Sequence, residues 1–378
     1  MKGTEPRIPE LHVRSGAVIA LRLFDIAYSI DLTAAEELWR SRSGTASTRS
    51  QLVATPAKAV AFDVPPVLLA LDPIPLEVDG RQVSVTVTAR LYDFGVVALS
   101  LRLPVTECSW SAYTALFNAL DKAVGPTAQT DLWNQLLTSI RIPLTPTFTR
   151  PNVSALQEDY LLAVIQQWSE PISAAALQER VDLAPLLSGE RRALSEGARK
   201  DLLRQRFSYY EDDLVVLTWD RAFIYEPRSD SDVADVLEVA NAQLLELRYY
   251  DELLDDELPR MYDLVEETQR HLNFLAPRRF ADLARKLYTL VAEVTELTER
   301  VDNALQVTED VYLARVYTAA LELYRVPNVE AAVNRKLAII RDTYSALYDE
   351  ASSARGTLLE MAVVILIVIE IGIALLWH

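Results

Sequence analysis

From about residue 232 onward the apolar residues fall at alternating three- and four-residue intervals, and this pattern narrows the architecture more than any other property of the chain. Leu237, Ala240, Leu244 and Leu247, followed by Leu254, Leu258, Met261 and Val265, keep the roughly 3.5-residue period of a helix packing along a seam. The stripe restarts after Pro277 with Leu283, Leu287, Leu290, Val294, Leu297, Val301, Ala304 and Val311. It restarts again after Pro327 with Val333, Leu337, Ile340, Tyr344, Leu347, Ala351, Ala354, Leu358 and Met361. Three long helices are expected, broken at Pro277 and Pro327, with Pro259 kinking the first. Such stripes are satisfied by an antiparallel bundle within one chain or by self-association, and the two can coexist. Asp251 falls where the first seam wants an apolar residue. It reads as a solvated gap in the stripe or as a register device.

The last stripe runs directly into LLEMAVVILIVIEIGIALLW, residues 358–377. These 20 residues would span about 30 Å as a helix, the thickness of a hydrocarbon core, so a C-terminal transmembrane anchor is expected. Leu358, Glu360, Met361, Glu370 and Trp377 are the candidate membrane and oligomer-interface residues. Glu370 has no Lys or Arg in the span to pair with, and a carboxylate at that depth is expected to face the interior of an oligomer. Arg341 and Arg355 precede the span and only His378 follows it, which places the body in the cytoplasm.

Before Pro227 the chain has another character. Residues 11–30 and 81–103 are rich in Val, Leu and Ile, with alternation in SVTVTARLY, and read as strands. DLTAAEELWRS reads as a helix capped at Asp31 or Thr33, and SWSAYTALFNALDKAVG as one stopped by Gly125-Pro126. The Pro-containing stretches at 65–75 and 143–151 suit loops or edge segments. YLLAVIQQW (160–168) fits a buried strand or a short helix. Short helices follow, one capped by Ser195, and then DDLVVLTWDRAFIYEP (212–227) predicts a hairpin turning at Trp219-Asp220.

The chemistry the chain can perform is bounded by what it lacks. A net charge of -17 repels phosphate backbones and argues against direct nucleic-acid binding. The single cysteine, Cys108, can form no internal disulfide and reads as a buried inert thiol. Arg22 interrupts AVIALRLF, which removes a secretory h-region, and Glu5 and Glu10 argue against a mitochondrial leader. His12, His271 and His378 lie too far apart for HExxH spacing, and no glycine falls in a phosphate-binding loop. Asp93-Phe94-Gly95 matches a kinase metal-binding turn in letters but lacks its companion loops, so Gly95 reads as a bulge or close-approach glycine. The acidic run DELLDDEL (251–258) offers carboxylates at i and i+4 and could hold a divalent cation, although a solvated helix face accounts for it, as it does for EDD at 211–213. No catalytic, cofactor-binding or metal residue is assigned.

LYDFGVVAL (91–99), EDDLVVLTWDRAFIYEP (211–227), VADVLEVANAQLLELRYYDELLDDEL (233–258) and LLEMAVVILIVIEIG (358–372) together resemble the "required for meiotic nuclear division" family, which includes the yeast Sad-interacting factors. The resemblance implies an α/β domain, long C-terminal helices and a final membrane segment carrying glutamates. It further implies homo-oligomeric inner-membrane proteins with no established catalytic residues, and the missing leader points to a bacterial inner-membrane member.

The expected fold class is therefore α+β. Residues 1–228 form a mixed α/β domain, 229–356 long antiparallel, coiled-coil-like helices, and 357–378 one transmembrane helix. The expected role is a non-enzymatic, tail-anchored scaffold or tether that binds lipid through its last helix, forms homo-oligomers and engages an unidentified protein partner. A magnesium-channel-like ion channel or transporter, built on long helices entering the membrane, is the alternative, weakened by the single span.

Overall fold

The computed structural model describes residues 10–43, 47–49, 64–152, 154–190, 192–228, 232–270, 282, 285–292, 294–296 and 311–376. Its organising element is β1 (His12–Asp25), a strand whose residues are buried on both sides from Gly16 to Asp25. Helices cover both faces of the sheet around it, so alternation gives way to a continuous apolar run. β1 is flanked by two antiparallel neighbours, β6 (Val96–Ser109), with Leu21 opposite Ser100, and β8 (Gln157–Trp168), with Leu21 opposite Tyr160. YLLAVIQQW is thus a strand: its ladder bonds are taken up on one side by β1 and on the other by β11 (Arg221–Tyr225), which runs parallel to it.

The full sheet has nine strands, in the order β3-β4-β5-β6-β1-β8-β11-β10-β9. Its remaining members are β3 (Ser47–Arg49), β4 (Val67–Val78), β5 (Arg81–Leu91), β9 (Gln205–Phe207) and β10 (Leu214–Leu217). A separate two-stranded sheet joins β2 (Ala27–Ile30) to β7 (Phe148–Pro151). The edge reading fits the first proline-rich stretch: among the described residues β3 pairs with β4 from Val67 to Leu69, and Pro73 and Pro75 lie past that pairing. The β10–β11 hairpin turns at residues 218–220, as expected.

Gly95 closes the turn between β5 and β6. Its φ of 99° suits glycine alone, and an added Cβ would stand 1.7 Å from the Ala27 carbonyl oxygen, so it is a close-approach glycine. The metal-loop likeness of Asp93-Phe94-Gly95 is a consequence of this turn.

On one face of the sheet lies α2 (Trp110–Val124), capped by Ser109 Oγ, which accepts from the Ala112 amide. Tyr113, Phe117, Leu120 and Val124 fall on one side of it and are buried, each stabilising by about 1.5–3 kcal/mol. α1 (Leu32–Ser43) and α3 (Leu132–Leu144) extend this layer, and Asp31 Oδ1 caps α1 by accepting from Ala34 N. The connection from β8 to β11 carries α4 (Ala174–Arg180), α5 (Ala184–Ser188) and α6 (Glu196–Leu202), the last capped by Ser195. The opposite face is covered by the first half of α7 (Val233–Arg270) and by the helix Val311–Leu323. Tyr160 meets Tyr324 edge-on with ring centroids 5.4 Å apart, and Tyr317 donates to Gln243 between those two helices.

Two compact units result. The first comprises 1–249 and 300–327, so it extends past residue 228 and takes in the start of the first long helix. The second comprises 250–299 and 328–378. Within the second, the buried seam residues recur one heptad apart: Leu254 and Met261, Leu287 and Val294, Val333 and Ile340. Pro259 sits inside α7, which continues through it, and Pro327 occupies the first turn of the C-terminal helix Val326–Leu376, where its missing N–H costs nothing. Pro277 lies outside the described residues. Asp251 is no solvated gap: its carboxylate stands 2.7 Å from Lys336 Nζ, which also reaches Asp255 at 2.7 Å.

Among the described residues no helix is long and apolar enough to cross a membrane. Leu358, Glu360, Met361 and Glu370 lie on the C-terminal helix, whose apolar end has described side chains at 363–371 and 373, while Trp377 lies outside the described residues. The structure thus supports a mixed α/β sheet domain followed by helices and does not carry the expected transmembrane helix.

Candidate functional site

The site begins with Arg221, the first residue of β11, which is buried at the foot of α2. Its guanidinium donates to Asn118 Oδ1 at 2.8 Å, to the Leu186 carbonyl at 3.0 Å and to Asp121 Oδ2 at 2.6 Å, with Asp220 3.5 Å from Nε. One side chain therefore ties β11 to α2 and to α5. A Cβ on Gly189 would approach it to 2.6 Å, so the left-handed turn after α5 (φ 67°) requires glycine to admit it.

Between these tethered elements lies a cleft of about 850 Å³. Its floor is the outer side of α2, where Ala115 and Ala119 alternate with Asn118 and Lys122, and its walls are the β4–β5 turn and segment 182–199. Among the described residues lining it there is no histidine or cysteine, and Ser188 Oγ is engaged with the Ala184 carbonyl at 2.7 Å. Ser111 and Thr114 supply two further hydroxyls beside the charged side chains.

A second polar group lies at the same, C-terminal end of α2. Arg22, buried in β1, donates to the Val124 carbonyl at 3.2 Å and stacks over Trp133 at 5.5 Å, whose indole donates to the same carbonyl at 2.7 Å. A cation at a helix C-terminus is favourably placed against the helix dipole. Burial pushes the Arg22 guanidinium down, offset by Asp159 and Asp121, and pushes the Asp159 and Asp220 carboxyls up. Asp25 ends the same strand: burial raises it to about 7, although the Asn152 side-chain amide donates to it at 2.8 Å. On the opposite face of the sheet Arg90 pairs with Asp235 at 2.8 Å and Glu238 at 3.2 Å, and the Tyr92 hydroxyl donates to Glu238 at 2.8 Å.

The residues singled out by sequence do not converge on these groups. Asp251 and Asp255 share Lys336, and among the described residues no three His, Cys, Asp or Glu side chains stand close enough to hold a metal ion. In the 211–213 run, Asp213 is buried and accepts from the Tyr209 and Tyr210 amides, which makes it the cap of a turn. Cys108 is half-buried, and burial raises its thiol. Arg22, Arg90 and Arg221 were legible only as charges inside strand-like apolar runs. Such interruptions are the sequence signal for a paired buried cation.

Residues 15–232 match a family model described as "Uncharacterized protein MJ0711, N-terminal domain". The chain belongs to this family. An uncharacterised protein of Methanocaldococcus jannaschii, MJ0711, is 25% identical over 225 residues, which cover 59% of this chain and 68% of that protein. No solved structure matches. The matched span ends just before α7, so the family describes the sheet domain with Arg221 and the cleft, and not the long helices. LYDFGVVAL and EDDLVVLTWDRAFIYEP fall inside it, whereas the two C-terminal motifs fall outside. These matches carry nothing about the meiotic nuclear division family, and the relative is archaeal, so the bacterial attribution gains nothing from them.

Proposed function

We propose that this chain is a non-enzymatic, membrane-anchored and self-associating scaffold or tether, with the sheet domain as its head and the C-terminal helix as its anchor. The observation that supports this reading is the exposed aliphatic run on that helix. Val363, Val364, Ile365, Leu366, Ile367, Val368 and Ile369 are consecutive and each about half exposed, as are Ile371 and Ile373. Seven consecutive residues at about 100° each pass all the way round a helix, so no single groove on a protein partner covers them. A bilayer is a surrounding that accepts apolar side chains on any side of a helix, with a second copy covering part of it. By sequence the apolar run extends from Leu358 to Trp377. Its 13 Leu, Ile and Val side chains, at roughly -0.3 to -0.6 kcal/mol each, outweigh one central carboxylate at about +2.5 to +3.5. The heptad-spaced burial of the second unit supports association of its helices along seams. The layout of α/β head, long helices and glutamate-bearing last segment keeps the likeness to the meiotic nuclear division family within this proposal, with the body in the cytoplasm.

Truncation after Gly356 is the test. The shortened protein is expected to leave carbonate-washed membranes and remain soluble, while the full chain stays with lipid. A truncated protein that still pellets with the membrane refutes the anchor.

A further inference from the structure

The cleft beside α2 is bipolar. The β4–β5 turn points toward the C-terminal end of β6, because β5 pairs antiparallel with that strand (Thr86 opposite Arg102), and β6 runs directly into α2. Glu77 and Asp79, which line the cleft from this turn, therefore sit toward the first turn of α2. Segment 182–189 runs alongside α2 in the same direction as the helix. Asp182 lies by the first turn, where its carbonyl accepts from Trp110 Nε1 at 3.2 Å, and Gly189 lies by Arg221, which holds Asp121 near the last turn. Lys122, next to Asp121, lines this far end, and Arg192 lines the cleft from the segment that follows Gly189. Among the described residues Glu77, Asp79, Lys122 and Arg192 have no ion-pair or side-chain hydrogen-bond partner, whereas Arg199 is neutralised by Asp182 at 2.9 Å. Glu190, next to Gly189, also lines the cleft, so Lys122 and Arg192 outnumber it by one positive charge.

An acidic end and a basic end thus face one alanine-floored trough. From Ser111 to Lys122 along α2 is about 16 Å at 1.5 Å per residue, the length of about five residues of extended chain. Alanines leave room for small side chains to lie flat between the charged ends. The volume is within the roughly 300–1,000 Å³ of ordinary ligand clefts. We infer that this cleft binds an extended peptide segment of about five residues, with a basic residue seated at Glu77 and Asp79, small side chains over Ala115 and Ala119, and an acidic residue seated at Lys122 and Arg192. A free anion or a polyamine would leave one end of the cleft opposed by nothing, which is why a segment carrying both charges is the better fit.

The probes are three dye-labelled, end-blocked peptides, Lys-Ala-Ala-Ala-Glu, Lys-Ala-Ala-Ala-Lys and Glu-Ala-Ala-Ala-Glu, titrated by fluorescence anisotropy against the full chain in mild detergent at low salt. The mixed peptide is expected to bind at least about tenfold more tightly than either single-sign peptide. Lys122→Glu, an exposed change that makes both ends acidic, should transfer the preference to Lys-Ala-Ala-Ala-Lys. Ala115→Leu, also exposed, raises the floor and should weaken all three peptides without altering the circular dichroism. Equal or absent binding of the three peptides, or a preference that Lys122→Glu leaves unmoved, overturns the inference.

Discussion

Replacing Arg90 by Met should cost this protein on the order of 3–5 kcal/mol, because it strands a buried carboxylate. Glu238 is 6% exposed on α7 and has the Arg90 guanidinium 3.2 Å away, while the second carboxylate on that cation, Asp235 at 2.8 Å, is more open to water. Burial pushes the Glu238 carboxyl up and Arg90 draws it back down; burial alone would lower the Arg90 guanidinium, yet Glu238 and Asp235 hold it well above its ordinary value. With methionine at position 90, the Tyr92 hydroxyl still donates to Glu238 at 2.8 Å, one bond worth about 1.5–3 kcal/mol to a charged group. The carboxyl then relieves its cost by taking a proton. The deficit of Arg90→Met should therefore shrink as the pH falls toward the ordinary carboxylate range and be largest near neutrality. Adding Glu238→Leu should recover at least half of the loss, since a pair replaced by apolar groups is far cheaper than a pair broken. Urea unfolding followed by tryptophan fluorescence, which reports on Trp110, Trp133 and Trp168 in this unit, measures all three proteins at pH 5 and 7.5. A single-variant loss under about 1 kcal/mol, or a double variant no better than the single, would refute the reasoning.

Gly95→Ala should destabilise by at least about 2 kcal/mol, since φ is 99° and a Cβ would collide with the Ala27 carbonyl; a normal melting temperature would contradict the close approach. Asp25, raised to about 7, disfavours the folded state increasingly as the pH rises from its unfolded value of about 3.9 to 7 and no further above that. Asp25→Asn should accordingly gain on the wild type by about 1 kcal/mol per pH unit across that window, and a pH-independent difference would sink the assignment. Lys336→Met should lower the stability of the second unit by about 1 kcal/mol and favour altered helix register, checked by disulfide trapping of engineered cysteine pairs; unchanged crosslinks would make Lys336 a surface charge. Glu370→Leu should retain membrane association while changing the assembly seen by size exclusion with light scattering, and an unchanged assembly would remove Glu370 from the oligomer interface.

The sheet domain was legible where one residue's own chemistry settles the local chain. Asp31, Ser109 and Ser195 cap helices because their side-chain oxygens satisfy orphan amides, and the Trp219-Asp220 turn joins two runs too apolar to be anything but paired. YLLAVIQQW stayed ambiguous because nothing within it distinguishes a buried strand from a buried helix; β1 and β11 settle it, and they lie more than a hundred and more than fifty residues away. The cleft was illegible for the same reason. Lys122 reads as an ordinary cation at the end of a helix, and Glu77 and Asp79 as ordinary turn acids, until β5 and β6 carry that turn to the head of α2 and Arg221 ties α5 alongside. What the sequence did offer was the anomaly of charge in apolar strands. Arg22 breaks AVIALRLF and Arg90 breaks VTVTARLY, and each such residue had to be matched by a partner that folding brings within reach. The partners are a helix C-terminus for Arg22, and carboxylates on α7 for Arg90, so these arginines orient the helices that cover the two faces of the sheet. The fold's polar exceptions are therefore its assembly instructions: apolar periodicity says that a face is covered, and the buried charge says by which turn of which helix.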